Sequence, residues 1–266
     1  NNAYDNFILF GDSLGQDVHL TGGGTDSYYT FLDNLFVDPG STLTIDQGVT
    51  IYSGGSYEII NNGSIQAIGS ASNPININLE INFDTSNQVS NLEHVNLNGN
   101  TSQIFVNQNT INFKHVSVAS GDVYFWDSTN SSVEDSDLDS LGIYDSIVNL
   151  KNISNLINGI YVYNSTLDAE NILIDGGGFL GDAINVSNNS TLNIIDSTVE
   201  NLATSGGGSA VVAYNNSVVN ADNVTIDGGS YGVTVFNNTD LDFQHGVIKN
   251  MATSGVTAFD GGSYTS

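Results

Sequence analysis

From about residue 100 onward the chain repeats one short pattern, an alternation of apolar and polar residues that closes on Asn or Asp. The segments are VYFWDS (123–128), LGIYDS (141–146), IYVYNS (160–165), INVSNN (184–189), VVAYNN (211–216), VTVFNN (233–238) and VTAFDG (256–261). The closing residue falls at 127, 145, 164, 188, 215, 237 and 260, with Asn107 of IFVNQ one step earlier. Steps run from 18 to 27 residues and average about 22. A repeat of that length, built from strands, predicts a solenoid whose coils each contain three short strands. Successive side chains of a strand point to opposite sides, so the columns can be assigned to faces. Phe105, Phe125, Ile143, Val162, Val186, Ala213, Val235 and Ala258 are all apolar and are expected to face the core. Val106, Trp126, Tyr144, Tyr163, Ser187, Tyr214, Phe236 and Phe259 are expected to face out.

After each closing Asn or Asp the chain continues in like fashion, as in NSTLDAENILIDGGG (164–178) and NNSVVNADNVTIDGG (215–229), which supplies the second and third strands. ENLATSG (200–206) returns as KNMATSG (249–255), a spacing of whole coils. The first forty residues do not fit the repeat and are rich in aromatics (Tyr4, Phe7, Phe10, Tyr28, Tyr29, Phe31, Phe36). Residues 1–36 are therefore expected to cap the amino-terminal end, where an open coil would leave backbone groups unpaired. The coils are expected over 37–266, cut within a coil at GGSYTS as in a piece of a longer protein. The fold class that follows is all-β, a parallel β-helix with an amino-terminal cap.

Charge narrows the function. Lys114, Lys151 and Lys249 are the only basic residues besides His, against 29 Asp and Glu, for a formal net charge of −26 over 266 residues. Nucleic acid would be repelled, because its binding rests on cations that neutralise phosphates. Anionic lipid surfaces are disfavoured likewise, and no apolar run is long enough to insert in a membrane. Hydrophobic residues still make up 39%, enough for a core. Cysteine is absent, which excludes a disulfide framework and is compatible with secretion, since a long stacked core needs no staples. An acidic, soluble, repetitive chain of this kind is expected to be secreted or displayed at a cell surface.

The segment VDPGSTLTIDQGVTIYSGGSYEIINNGSIQAIGSASNPININ (37–78) resembles the opening coils of right-handed parallel β-helix proteins of the pectate-lyase-like superfold. Proline, glycine, strand, glycine and strand there lead to a small–Asn–Pro–Ile turn. The resemblance implies a right-handed coil. It implies no single function, since such folds serve pectate lyases, polygalacturonases, phage tailspikes, autotransporter passengers and bacterial surface adhesins.

The candidate chemistry is sparse. Lyases of this fold commonly use Arg or Lys as the base, and this chain has no Arg and only scattered Lys. Glu134, Asp135, Asp137 and Asp139 in EDSDLD form the one carboxylate cluster, a polar loop by its plainest reading. It is also a calcium candidate at Asp135 and Asp137, or a pair of glycosidase carboxylates. GGGTDSYYTF (22–31) resembles the end of a calcium-binding nonapeptide repeat, with Thr21 departing from its first glycine. Asp26 is therefore a further calcium candidate. His94 and His115 stand at equivalent positions one coil apart, and His245 at the same turn, which turn stacking explains without a metal. The Asn/Asp column reads as left-handed turn chemistry and amide stacking.

The outward aromatic column is the most informative feature. Trp126, Tyr144, Tyr163, Tyr214, Phe236 and Phe259 would either stabilise the sheet face or grip sugar rings or a protein partner, whose hydroxyls would meet nearby Asn and Asp. The expectation is a non-catalytic adhesin or stalk segment binding glycan or a cell-surface protein, with self-association open and calcium the one cofactor in view. The alternative is a polysaccharide-degrading β-helix enzyme using the 134–139 carboxylates. Ice binding would need a regular Thr face, which the aromatic column replaces.

Overall fold

The computed structural model describes residues 5–9, 11–22, 27–84, 88–98, 103–118, 121–178 and 181–265. Tyr4, Phe10 and Asp26 lie outside the described residues. Among the described residues all regular structure is strand, stacked in parallel as a β-solenoid of about 11 turns with about 22 residues per turn. The described residues contain no helix, and so no helix long and apolar enough to cross a membrane. Two compact units divide the chain, one ending at Ser136 and one beginning at Asp137.

In the first unit each coil lays down three strands. Those of one face are Leu35–Val37, Glu58–Asn61, Glu80–Phe83, Gln103–Asn107 and Asp122–Trp126, each hydrogen-bonded in parallel to the next. The other two faces are joined so tightly that some of their strands run together, as in Val89–Leu97 and Thr110–Val118. A single residue in the left-handed conformation bends each of these: His94 (φ 51°) and His115 (φ 51°). One bent residue rotates the inward set, so that Leu92 and Val95, three apart, both reach the core. Inside, register stacks Ile45, Ala67, Leu92, Phe113 and Val133 in one column, all at most 1% exposed. Residues of different size stack in this column, and each large member contributes about 1.5–3 kcal/mol through burial.

The stretch expected to be a cap, 1–36, contributes strands of its own. Asp5–Leu9 pairs in parallel with Ser27–Phe31, Ser13–Leu14 with Leu35–Val37, and Val18–Leu20 with Thr42–Asp46. Coiling thus precedes residue 37.

The second unit follows the same plan. Ile143, Val162, Val186, Ala213 and Val235 align as an inward column at most 1% exposed, matching the alternation expected from sequence. Ala258 aligns with Val235 but is exposed, because no later coil of the given chain lies over it. In the first unit one strand departs from the expected register. Phe105 pairs with Tyr124 and Val106 with Phe125, so Val106 is buried and Phe105 turns outward. The sequence alignment had placed Asn107 at the turn, whereas the left-handed residue is Gln108 (φ 49°), one position later.

Turns repeat as faithfully as strands. Asp127, Asp145, Asn164, Asn188, Asn215, Asn237 and Asp260 all have φ between 47° and 58°. Asn and Asp tolerate this conformation best among residues with a Cβ. Their side chains link coil to coil: the Asn164 amide donates to Asp145 at 2.5 Å, Asn215 to Asn188 at 2.8 Å and Asn237 to Asn215 at 3.1 Å. A second column does the same at the sharp bend, where Asn171 donates to Asn152 at 2.8 Å and Asn223 to Asp196 at 2.6 Å. His94 and His115 occupy this bend in the first unit with rings stacked at 4.4 Å.

Directly behind the first turn column runs a line of small hydroxyl residues absent from the sequence expectation. Ser128, Ser146, Ser165, Ser190, Ser217 and Thr239 are all at most 5% exposed. In the second unit the Ser165 hydroxyl donates to the Tyr163 carbonyl at 2.7 Å and accepts the Ser146 backbone N–H at 2.9 Å. Ser190 and Ser217 continue the pattern, receiving the N–H of Ser165 at 3.2 Å and of Ser190 at 3.3 Å. The left-handed residue turns backbone N–H groups inward, and buried donors must be paired.

Candidate functional site

Outward residues of the first unit's Glu58–Asp127 region line an open groove of about 520 Å³. Ile60, Asn82, Phe105 and Tyr124 form one outward column in register, and Asn107 and Trp126 face each other in the next. The strands therefore present side chains at fixed lateral spacings of roughly 4.8 Å. Trp126 is 42% exposed, Phe105 stands on the adjacent coil, and Glu58, Asp84 and Asp127 add carboxylates to the lining. Phe105 stacks on Tyr124 with centroids 5.4 Å apart. The Asn82 amide donates to Glu58 at 2.5 Å, and the Asn107 amide to Asp84 at 3.2 Å. These bonds order the floor and hold two carboxylates at defined places. Among the described lining residues none is cationic.

Of the expected aromatic column, Trp126 belongs to this groove and the other members to the second unit. There Tyr144, Tyr163, Ser187 and Tyr214 align in register. Ser187, at 5% exposed, interrupts the strip. Tyr144 and Tyr163 lie against each other with centroids 6.3 Å apart, and Phe236 stacks on Phe259 at 5.1 Å. Sequence reasoning passed over Tyr161, which is 42% exposed two residues before Tyr163 on the same side of the strand. Burial, helped by the neighbouring Tyr161, raises the Tyr144 phenol above its ordinary pKa. Phe105, Tyr124, Ile60, Glu58 and Asp84 were also missed. The alternation that located Trp126 places Tyr124 outward too, but the one-step misregister at Asn107 concealed Phe105.

The carboxylates of 134–139 do not converge within either unit. Glu134 and Asp135 close the first. Lys114 approaches Glu134 at 3.9 Å, and His115 Nε2 approaches Asp135 at 3.9 Å at the left-handed bend. Asp137 and Asp139 open the second, where the Ser154 hydroxyl donates to Asp137 at 2.8 Å. The Asp139 backbone carbonyl accepts the N–H groups of Ile157 and Asn158 at 3.1 and 2.9 Å. Among the described residues no three His, Cys, Asp or Glu side chains gather as metal ligands.

Each lysine meets an acid in an adjacent coil of its unit. Besides Lys114, Lys151 reaches Glu170 and Lys249 reaches Asp227, at 3.0 and 3.2 Å. The Asn250 hydrogen bond and then Lys249 hold the Asp227 carboxyl below its ordinary pKa. Exposed pairs of this kind contribute little each, and they leave the outward surface strongly acidic. No family model, curated protein or solved structure matches the chain.

Proposed function

We propose that this chain is a non-catalytic extracellular binding segment, a right-handed β-helix of the pectate-lyase-like kind found in bacterial surface adhesins and autotransporter passengers. It holds glycan in the groove that Trp126 and Phe105 help to line. The groove itself carries this reading: an exposed indole and a phenyl ring beside ordered amides and carboxylates offer an apolar face to a sugar ring and hydrogen-bond partners to its hydroxyls. Its volume of about 520 Å³ lies within the range of small-ligand sites. The stacked coils act as a rigid spacer, and the second unit's aromatic strip offers further contact area. Secretion or surface display fits the acidic composition.

The test is electrophoresis of the native protein through gels cast with neutral, basic and acidic polysaccharides, with and without calcium, followed by staining for polysaccharide. Retardation without clearing, lost in Trp126→Ala, is the expected result. Clearing around the band would replace this reading with polysaccharide cleavage, which the carboxylates of the groove make the natural second reading. No retardation in any gel would turn the search toward a protein partner or a second copy of the chain.

A further inference from the structure

We propose that a pocket at one corner of the first unit receives a guanidinium group, the arginine side chain of a protein partner, an inference that does not rest on the glycan reading above. Between the strands Val49–Ser53 and Glu58–Asn61 the chain uses residues 54–57 to turn the corner. The next coil turns it between Ile75–Asn78 and Glu80–Phe83 on Leu79 alone. Register pairs Tyr52 with Asn78 and Glu58 with Glu80, so the longer connection adjoins the shorter one. The mismatch leaves a pocket of about 300 Å³ whose lining includes Ser56, Tyr57, Asn78, Leu79, Glu80 and Asn98. Its loop is held in place from within. The Ser53 hydroxyl accepts the N–H groups of Gly55 at 3.3 Å and Tyr57 at 3.1 Å and donates to the Gly55 carbonyl at 2.5 Å. A Cβ at Gly55 would stand 2.9 Å from the Tyr57 ring, so the ring's position requires glycine there.

Elsewhere in the first unit outward amides are taken up from coil to coil: Asn96 donates to Asn76, Asn91 to Gln66 and Asn112 to Asn91, each at 2.9 Å. Among the described residues the side chains of Asn78, Glu80 and Asn98 have no such partner. The ladder stops here because Tyr52, not an amide, lies beside Asn78 in the preceding coil. Glu80 is the carboxylate of the described lining, which holds no cation, and Glu58 in register on the adjacent coil adds a second negative charge beside it. A cation bound at Glu80 relieves that repulsion. A guanidinium suits the set better than an ammonium. Its planar fork of N–H donors matches a carboxylate flanked by amide carbonyls, and its weak hydration and flat face let it lie on the Tyr57 ring. No Arg occurs in the sequence, so a second copy of this chain cannot supply the group. The net charge of −26 draws a basic partner from a distance.

The probe is N-acetyl-arginine amide, titrated at physiological ionic strength into protein labelled at its leucine methyl groups, with the Leu79 signals followed by NMR. Citrulline, isosteric with arginine but neutral, and lysine are titrated as the same blocked derivatives. The arginine derivative is expected to shift the Leu79 signals to saturation, and the other two to bind about tenfold more weakly. Glu80→Gln is expected to weaken arginine binding about tenfold, and Tyr57→Leu to narrow the preference for arginine over lysine. Glu93→Gln, on another face of the same unit, leaves both unchanged. Equal affinity for arginine and citrulline, or undiminished arginine binding in Glu80→Gln, would overturn the charge recognition. The absence of any Leu79 shift with the arginine derivative would overturn the site. Each of these outcomes leaves the glycan reading of the neighbouring groove where it stood.

Discussion

The two units carry outward aromatics by the same alternation and put them to different use. In the second, like lies against like: Tyr144 tilts against Tyr163, and Phe236 stacks on Phe259. In the first, the strand rows mix Ile60, Asn82 and Phe105 in one column and Asn107 with Trp126 in the next, so large rings stand beside short amides and a groove opens between them. Rings of equal size a coil apart satisfy each other's apolar faces. A large ring beside a short amide leaves space unfilled. A regular solenoid acquires a groove where its surface repeat is broken.

That contrast can be broken most forcibly from beneath. Phe125 is fully buried directly before Trp126, and Phe125→Ala is expected to cost about 3–5 kcal/mol in urea unfolding. The same substitution should weaken glycan binding by displacing the indole. Ile143→Ala, the corresponding core change in the second unit, is expected to cost about 2–5 kcal/mol and leave groove affinity intact. If both changes weaken binding equally, the groove is not the first unit's own property.

Next in size is the hydroxyl line behind the turns. Ser165→Ala removes the acceptor of the buried Ser146 N–H and is expected to cost about 1–3 kcal/mol in the same assay. No loss of stability would show that the line merely fills space.

Alkali sharpens the picture of the second unit's strip. Because the Tyr144 pKa is raised in the folded state, its contribution is complete below the unfolded value and is lost as pH rises through the folded one. Melting temperature should accordingly fall on the alkaline side of the ordinary phenol pKa, and Tyr144→Phe should flatten part of that slope. An unchanged slope in the variant would assign the effect to other groups. The smallest effect lies at acid pH. Asp227 has a lowered folded pKa, so its contribution is present above the unfolded carboxylate value and disappears as pH falls through the folded one. Asp227→Asn should slightly reduce stability at neutral pH and blunt the acid transition. Because the carboxyl lies at the surface, salt should diminish the difference.

The coil repeat, the inward column from Phe125 to Val235 and the turn role of Asn and Asp were all legible in the sequence. Each is a local matter: alternation sets a side chain's face, and the left-handed conformation favours a small set of residues at a given step. The same signals also went partly unread. Asp127, Asp145, Asn164, Asn188, Asn215 and Asn237 are each followed within two residues by Ser or Thr, which marks the buried hydroxyl line. The histidines show the same logic, since His94 and His115 fall on the sharp bend where their rings stack.

Register from coil to coil was not legible, because turns vary in length and the hydrogen bonds that align one strand with the next belong to neither strand alone. A single-step error at Gln108 exchanged Phe105 for Val106 and concealed one wall of the groove. Sequence likewise gathered Glu134, Asp135, Asp137 and Asp139 into one cluster by proximity along the chain, where folding commits each to a contact with a neighbouring coil. Glu58, Asp84 and Trp126 are distant in the chain and line one groove because parallel stacking converts a spacing of about one coil into a few ångströms. Local chemistry settles which way each side chain points and where the chain turns; which side chains become neighbours depends on the pairing of whole coils.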